Sequence, residues 1–328
     1  MANHDLLEIR NLKKYYSVTA GLLSKKAGDV KAVDGVSFTI KEREILGMVG
    51  ESGCGKSTLG RTILRLEEPT AGEILYKGQD IIRLDKHELR ELRKEIQIIL
   101  QDPDASLDPK MTVGDSICEP LVIHNIGNER VRAQKVADLM QQVGLDANYA
   151  SYYPHEFSGG QKQRIGIARA MAINPRLIIA DEPVSALDVS IQAQILNLMV
   201  DIQEEFGLAY LFIAHDLSVI RHMAHRVLVM YLGKIVELTS KQELFQNPLH
   251  PYTEALLSAA PSFKPKGKKR ILLQGDVPSP LNPPPGCHFH PRCHRAMPVC
   301  SQQEPKLVEV SPGHFVACHL SGESPLTI

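Results

Sequence analysis

The chain has 328 residues, of which 43% are hydrophobic and 23% are charged, and this composition excludes a disordered or fibrous protein. Lys and Arg total 37 against 38 Asp and Glu, so a net charge of −1 provides no overall basic field for nucleic acid. No apolar run approaches the roughly 18 residues of a membrane-spanning helix, and no signal-peptide pattern opens the chain, so we expect a cytosolic protein.

The N-terminal part of the chain carries the pattern of an α/β fold. Loose alternation of apolar residues predicts strands over 6–12 and 32–40, and the apolar run Ile45–Val49 predicts a short buried strand. That run leads straight into Gly50, and the apolar spacing of a helix follows over 57–66. A buried strand that feeds a glycine-rich turn and a helix is typical of α/β domains.

The middle of the chain, about 102–175, has helical periodicity and few strand signals, so we predict a helical insertion there. Beyond it, apolar strands at 177–180, 209–214 and 226–231 accompany an amphipathic helix at 191–206. This alternation favours a mainly parallel sheet.

A glycine-rich loop follows the strand at Ile45–Val49, and its sequence GESGCGKS matches the phosphate-binding pattern G-x-x-x-x-G-K-S. Glycines let successive backbone N–H groups surround phosphate oxygens, and the helix that begins near Ser57 adds its positive end. Lys56 is expected to reach the β- and γ-phosphates, and the Ser57 hydroxyl is expected to bind Mg²⁺. The predicted nucleotide-binding residues of the loop are Gly50, Glu51, Ser52, Gly53, Cys54, Gly55, Lys56, Ser57 and Thr58.

Two acids end the apolar strand at 177–180. In phosphate-loop enzymes the first such acid holds Mg²⁺, and an adjacent group positions the attacking water. We therefore predict that Asp181 binds the metal through water and that Glu182 acts on the attacking water.

A second helix start, in the sequence FSGGQ at 157–161, is suited to a second phosphate contact. Ser158 has the character of an N-cap, and Gly159, Gly160 and Gln161 open the helix. One nucleotide does not need two separate anion sites on one chain. We therefore predict a head-to-tail pair, in which this element completes the site of a partner.

Together these motifs resemble the ATP-binding subunits of ABC transporters over about residues 6–255. The markers stand in the family's order: GESGCGKST at 50–58, Gln101 in ILQDP, FSGGQ at 157–161, LIIADEP at 177–183, SALD at 185–188 and AHD around His215. Phe157 departs from the leucine usual in the family, but both residues are apolar. The resemblance implies an α/β fold of the ABC type: a RecA-like P-loop ATPase core, a helical subdomain at about 102–175 and an antiparallel β subdomain.

The resemblance also implies roles for residues outside the phosphate loop. Tyr16 resembles the aromatic residue that stacks on adenine, with Tyr15 as the alternative. Asp188 resembles the acid of the loop that crosses the dimer interface. In the family, each ATP lies between the phosphate loop of one subunit and the signature residues, here Ser158 to Gln161, of the other.

For catalysis, the resemblance adds two residues to Glu182. Gln101 is similar to the glutamine that links Mg²⁺ and the attacking water to the membrane partner, and His215 is similar to the switch histidine that contacts the γ-phosphate. The expected magnesium ligands are then Ser57, Gln101 and Asp181.

Further markers resemble the ATPase subunits of dipeptide and oligopeptide permeases and extend the resemblance over nearly the whole chain. These markers are MYLG at 230–233, HPYTEALL at 250–257, PSPLNPPPGC at 278–287 and HPRC at 290–293. They imply a nucleotide-binding domain at 1–255 and a small C-terminal extension, rich in cysteine and proline, at 256–328.

The permease resemblance implies an ATPase that powers peptide import from the cytoplasmic face of the membrane as a peripheral subunit. Its expected partners are a second ABC ATPase subunit, either a related D-type chain or a second copy, two transmembrane permease subunits and, indirectly, an extracytoplasmic peptide-binding protein. Nucleic acid is not an expected partner. The alternatives are the same motor for nickel, glutathione or sugar, a soluble ABC ATPase that acts on nucleic acid or the ribosome, and a non-catalytic binding subunit.

Four of the six cysteines, Cys287, Cys293, Cys300 and Cys318, lie close together near the C terminus. In a cytosolic chain this clustering favours a metal over disulfides. The spacing lacks the C-x2-C element usual for structural zinc, whereas four thiolates on irregular backbone suit a [4Fe–4S] cluster. The permease resemblance points the same way. Zinc and metal-free thiols are the alternatives, and a cluster here is expected to have a structural role.

Overall fold

The computed structural model describes residues 5–20, 25–259 and 271–321. The strands are β1 (Asp5–Ala20), β2 (Lys25–Lys41), β3 (Ile45–Val49), β4 (Ala71–Tyr76), β5 (Gln79–Asp80), β6 (Ile96–Ile99), β7 (Leu177–Asp181), β8 (Ala209–Ile213), β9 (Arg226–Tyr231), β10 (Lys234–Ser240), β11 (Val308–Ser311) and β12 (His314–Val316). The helices are α1 (Lys56–Ile63), α2 (Lys86–Leu92), α3 (Pro103–Ser106), α4 (Val113–Ile123), α5 (Glu129–Gln142), α6 (Gly159–Met171), α7 (Val189–Phe206), α8 (Leu217–Met223), α9 (Lys241–Gln246) and α10 (Pro251–Ala259).

The described residues form two compact units. The first unit consists of those within 1–41, 45–82 and 214–328, and the second of those within 42–44 and 83–213. The phosphate loop and the cysteine-rich C-terminal segment therefore lie in the first unit. The predicted helical region lies in the second.

An antiparallel sheet in the first unit has the strand order β2–β1–β4–β5. The predicted strands at 6–12 and 32–40 are present within β1 and β2, but both strands are longer than predicted. Their pairing continues through Tyr16↔Val30 and Ser17↔Asp29, where polar residues hide the alternation that would reveal a strand. Buried side chains such as Leu7 and Ile40 form the apolar face of this sheet.

A second, mixed sheet in the first unit has the strand order β11–β12–β10–β9–β3. β3 and β9 are parallel, with Leu46 opposite Arg226 and Val49 opposite Val229, and the other neighbours pair antiparallel. All five residues of β3 are buried, which explains its unbroken apolar sequence. β3 delivers the phosphate loop at its carboxyl end.

The second unit contains the parallel strands β6, β7 and β8, with β7 paired to both others. Every residue of β7 and β8 is buried. Residues 102–175, all of which the structure describes, contain α3, α4, α5 and α6 and no strand, as predicted.

A buried polar cluster in the first unit joins β10, β12 and the start of α10. The Glu237 carboxylate accepts hydrogen bonds from the backbone N–H groups of Leu249 (2.8 Å) and His250 (3.1 Å), and it lies 2.8 Å from Nε2 of His314. Nδ1 of His250 accepts the N–H of Tyr252 at 3.1 Å, which caps α10. Burial lowers the pKa of His250 to about 4, although the charge of Glu237 acts in the opposite direction.

We expect His250 to make the protein less stable in acid. Between pH 7 and pH 5 the histidine binds a proton in the unfolded chain, where its pKa is about 6.5, but stays neutral in the folded protein. The free energy of unfolding therefore falls by about 2 kcal/mol over this range. Urea unfolding midpoints at the two pH values measure the loss. His250→Asn keeps an acceptor for the N–H of Tyr252 and does not titrate, so its stability should vary less over this range. Equal pH dependence in both proteins would refute the assignment.

Candidate nucleotide site

The phosphate loop turns between β3 and α1. Gly55 caps α1 with a φ of 107°, in the left-handed region, and a Cβ there would overlap the carbonyl oxygen of Ala32. A Cβ at Gly50 would overlap the carbonyl oxygen of Met230. Both positions therefore require glycine, and the backbone follows the path that the motif predicts.

Lys56 places its ammonium group at the centre of the loop. Its Nζ donates hydrogen bonds to the carbonyl oxygens of Gly50 (2.8 Å) and Glu51 (3.2 Å), and the residue is only 4% exposed. The cation is thus held on the loop itself. Burial raises the pKa of the Cys54 thiol, although the charge of Lys56 acts in the opposite direction, so this cysteine stays protonated.

The two acids at the carboxyl end of β7, Asp181 and Glu182, lie in the second unit, and Glu182 contacts Gln101. Asp181 is 2% exposed, and Nε2 of Gln101 donates to the Glu182 carboxylate at 3.2 Å. Glu182 has a φ of 47°, and its N–H donates to the carbonyl oxygen of Ile213 at 3.0 Å. A non-glycine residue in the left-handed region is strained, and such strain concentrates at functional sites.

The signature residues form a tight helix start in the second unit. Ser158 and Gln161 make a reciprocal capping box: Oγ of Ser158 accepts the N–H of Gln161 at 3.4 Å, and Oε1 of Gln161 accepts the N–H of Ser158 at 2.9 Å. Ser158 and Gly159 are exposed. A Cβ at Gly160 would overlap the side chain of Ile191 on α7, so this glycine allows the two helices to pack.

The candidate adenine-stacking residue, Tyr16, is 37% exposed. Its hydroxyl is bonded to the Glu67 carboxylate, and Nζ of Lys14 lies 4.8 Å from the centre of its ring. The alternative, Tyr15, is half-buried and donates its hydroxyl to the Asp34 carboxylate. Tyr16 therefore presents the more accessible ring.

Asp188 occupies the N-cap position of α7 and is exposed, and the next residue, Val189, is 82% exposed. His215 is also exposed, in the turn between β8 and α8. These positions are accessible to a partner or to a nucleotide.

Two contacts at the phosphate loop escape sequence reasoning. The hydroxyl of Tyr252 accepts the N–H of Glu51 at 2.8 Å, and the Glu51 carboxylate pairs with Arg292 from the cysteine-rich segment. Both residues stand inside motifs that mark the permease family, HPYTEALL and HPRC, but no local pattern links them to a loop more than 200 positions away.

The four clustered cysteines lie within electrostatic reach of one another. Burial raises the pKa of Cys287 to about 11, and Cys300, Cys318 and Cys293 act in the same direction. However, no group of three or more His, Cys, Asp or Glu side chains among the described residues is arranged to hold a metal ion. The thiols have the right chemistry, but the structure does not support the predicted iron–sulfur cluster.

None of the helices within residues 5–20, 25–259 and 271–321 is both long and apolar enough to span a bilayer.

Comparison with known families agrees with these motifs. Residues 33–185 match the ABC transporter family, and residues 236–300 match the family called oligopeptide/dipeptide transporter, C-terminal region. Among solved structures, a dimeric ATP-binding cassette in a post-hydrolysis state with ADP and Pi is 29% identical, with a TM-score of 0.64. That similarity covers 72% of this chain and 98% of the cassette.

Relatives at higher identity span almost the whole chain. The oligopeptide transport ATP-binding protein AppF of Bacillus subtilis (strain 168) is 60% identical over 97% of this chain and 98% of its own length. The dipeptide transport ATP-binding protein DppF of Escherichia coli (strain K12) is 50% identical over 95% of this chain and 93% of its own length. The predicted resemblance and α/β cassette fold are thereby confirmed, and the chain belongs to the ATP-binding proteins of the ABC transporter family, in the branch with an oligopeptide/dipeptide transporter C-terminal region.

Proposed function

We propose that the chain hydrolyses ATP to power the import of oligopeptides or dipeptides. The observation that carries this proposal is the similarity to AppF and DppF, which are 60% and 50% identical to this chain over nearly its whole length. Both are named for the transport of oligopeptides or dipeptides. The phosphate loop supports ATP binding. Gly50 and Gly55, at the two crowded positions, let the backbone turn tightly, and the buried Lys56 supplies a positive charge for a triphosphate.

In the proposed site, the loop residues Gly50 to Thr58 bind the phosphates of ATP. Backbone N–H groups at the start of α1 bond the phosphate oxygens, and Lys56 supplies a positive charge to them. Tyr16 stacks on the adenine. Magnesium, when bound, neutralises developing charge on the phosphates, and its proposed ligands are Ser57, Gln101 and Asp181.

For hydrolysis, a water oxygen attacks the γ-phosphorus while the bond to the oxygen bridging the β- and γ-phosphates breaks, which yields ADP and phosphate. We assign the orientation of that water to Glu182, and the contact of 3.2 Å from Gln101 supports a shared task for these two residues. His215 is proposed to contact the γ-phosphate. This work is mostly positioning and electrostatics, because phosphoryl transfer needs little covalent help.

We further propose that two ATPase subunits pair head to tail, so that Ser158, Gly159, Gly160 and Gln161 contact the ATP of the partner and Asp188 lies at the interface. The exposure of Ser158 and Gly159 and the dimer seen for a related cassette support this arrangement. The partner is a D-type relative or a second copy. Two transmembrane permease subunits and an extracytoplasmic peptide-binding protein complete the transporter, with this chain on the cytoplasmic face of the membrane.

The comparisons favour a peptide cargo over nickel, glutathione or sugar, and over a role on nucleic acid or the ribosome, because AppF and DppF are both named for peptide transport. The test is uptake of labelled di- and oligopeptides into vesicles that hold the permease subunits with and without this chain. ATP-dependent uptake that requires the chain supports the proposal. A complex that hydrolyses ATP and moves none of these peptides would refute the cargo.

We also propose that the four cysteines bind a metal, with a [4Fe–4S] cluster preferred and zinc as the alternative, and that residues 256–328 are a distinct extension to the nucleotide-binding domain at 1–255. Support for the metal is the thiol chemistry of four partly or fully buried cysteines that cluster within residues 287–318 of the sequence. Anaerobically purified protein should show iron and sulfide in equal amounts and a broad visible absorption band. Zinc alone, or no metal, would remove the iron–sulfur assignment.

A further inference from the structure

Arg292 in the cysteine-rich segment makes a two-pronged ion pair with the phosphate loop. Its Nη1 lies 2.6 Å from Oε2 of Glu51, and its Nη2 lies 3.1 Å from Oε1. The Arg292 side chain is only 8% exposed, whereas that of Glu51 is 27% exposed. We infer that Arg292 is a positioning residue that sets the conformation and charge of the phosphate loop and thereby the affinity for ATP.

Glu51 is the point at which the loop is held. Its backbone N–H donates to the hydroxyl of Tyr252 at 2.8 Å, and its carbonyl oxygen accepts from Nζ of Lys56 and from the N–H of Cys54, both at 3.2 Å. Its carboxylate forms an ion pair with Arg292. Loss of the Arg292–Glu51 ion pair would therefore shift the backbone of Glu51, which contacts the Lys56 ammonium and lies in the loop proposed to surround the phosphates.

The position of Arg292 is itself fixed by aromatic packing. Nη1 donates to the hydroxyl of Tyr231 at 3.4 Å, and the guanidinium carbon lies 6.0 Å from the centre of that ring. Phe289, which is fully buried, packs against Tyr231 and Tyr252 with ring centres 5.2 and 5.3 Å apart. The C-terminal segment thus presents a rigid fork to the loop, and such a fork matches carboxylate geometry.

The charge of the pair matters because Glu51 is an acid in a loop for a polyanion. An unpaired carboxylate there would repel the triphosphate, and in a partly buried site this repulsion is weakly screened. Buried ion pairs add little net stability compared with apolar residues. The role that remains for this one is to neutralise Glu51 and to hold the loop in one conformation.

This inference rests on the proposal that residues 50–58 bind ATP, and the test separates the two. ATP affinity is measured by calorimetry on the full chain for the wild type and for Arg292→Gln, Glu51→Gln and the double variant. Arg295→Gln is the matched control, since Arg295 lies three residues further on and pairs with Glu254 at a more exposed position. Loss of ATP binding in Lys56→Ala, measured beside them, reports on the proposed site itself.

We expect Arg292→Gln to weaken ATP binding about tenfold, since residues in one ion-pair network show coupling of this size, and Arg295→Gln to leave it unchanged. Because removal of the Glu51 charge also removes the repulsion, Glu51→Gln should have a smaller effect, and the double variant should bind ATP like Glu51→Gln. In hydrolysis assays Arg292→Gln should raise KM with kcat changed less than twofold, and Arg292→Lys should recover part of the affinity.

The inference is overturned if the losses of ATP affinity in Arg292→Gln and Glu51→Gln add in the double variant, or if Arg292→Gln binds ATP as tightly as Arg295→Gln. It is also overturned if Arg292→Gln lowers kcat while its KM stays constant. Should Arg292→Gln fail to fold, the charge-retaining Arg292→Lys decides. It supports the inference if ATP binding weakens more than in Arg295→Gln, and contradicts it if ATP affinity equals that of the wild type.

Discussion

Replacement of Glu182 by glutamine is expected to lower the rate of ATP hydrolysis by about 10²–10³-fold while ATP still binds. The amide keeps the size of the side chain and can still bond to Gln101, but it cannot accept a proton from water or orient it through a negative charge. Release of phosphate under saturating ATP measures turnover, and equilibrium dialysis measures binding.

Glu205→Gln is the matched control for this prediction, because Glu205 is an exposed acid near the end of α7 and should tolerate the same change. Turnover of Glu182→Gln at the wild-type rate would show that another group orients the water. Loss of ATP binding would instead show that the variant disturbs the site and does not isolate the chemical step.

Lys56→Ala is expected to weaken ATP binding by about 2–3 kcal/mol, or roughly 30- to 150-fold, because hydrogen bonds to a charged group are worth about that much. The loss has two sources in the structure. The phosphates lose a cation, and the carbonyl groups of Gly50 and Glu51 lose the ammonium group that draws them together. ATP titration by calorimetry gives the change in affinity.

Lys86→Ala removes a positive charge from an exposed site in the second unit and should leave ATP affinity unchanged. Affinity for ATP in Lys56→Ala within twofold of the wild type would contradict the role of this residue. If Lys56→Ala binds ATP normally but hydrolyses it slowly, Lys56 stabilises the transition state and not the bound ATP.

The phosphate loop could be predicted from the sequence because its determinants are local. A buried strand, glycines at crowded turns and a helix start are all contained within residues 45–63, and the structure confirms each. The capping box at Ser158 is local in the same way, since its partner is three residues along. The parallel pairing of β7 and β8 follows from their continuous apolar runs, whereas Gln97 interrupts the short β6, which the apolar pattern did not predict.

Contacts between distant parts of the chain could not be predicted in the same manner. Tyr252 and Arg292 reach Glu51 across 201 and 241 positions, and nothing in the periodicity of either segment identifies that partner. The full length of the β1–β2 pairing could not be predicted either, because polar residues around Ser17 and Asp29 interrupt the apolar alternation. The cysteine spacing suggested a cluster, yet spacing alone does not fix whether thiols converge on one point, and the described residues form no such group.

Native mass spectrometry of Glu182→Gln tests whether this chain binds ATP at residues 50–58 within a pair of ATPase subunits. The variant is mixed with ATP and with either a D-type ATPase subunit or no other chain. We expect a pair of ATPase subunits that forms only with ATP and carries two ATP molecules, and that is lost when Ser158→Arg is added to the variant. ATP-bound single chains that never associate, or a pair that forms equally well without ATP, would contradict this expectation.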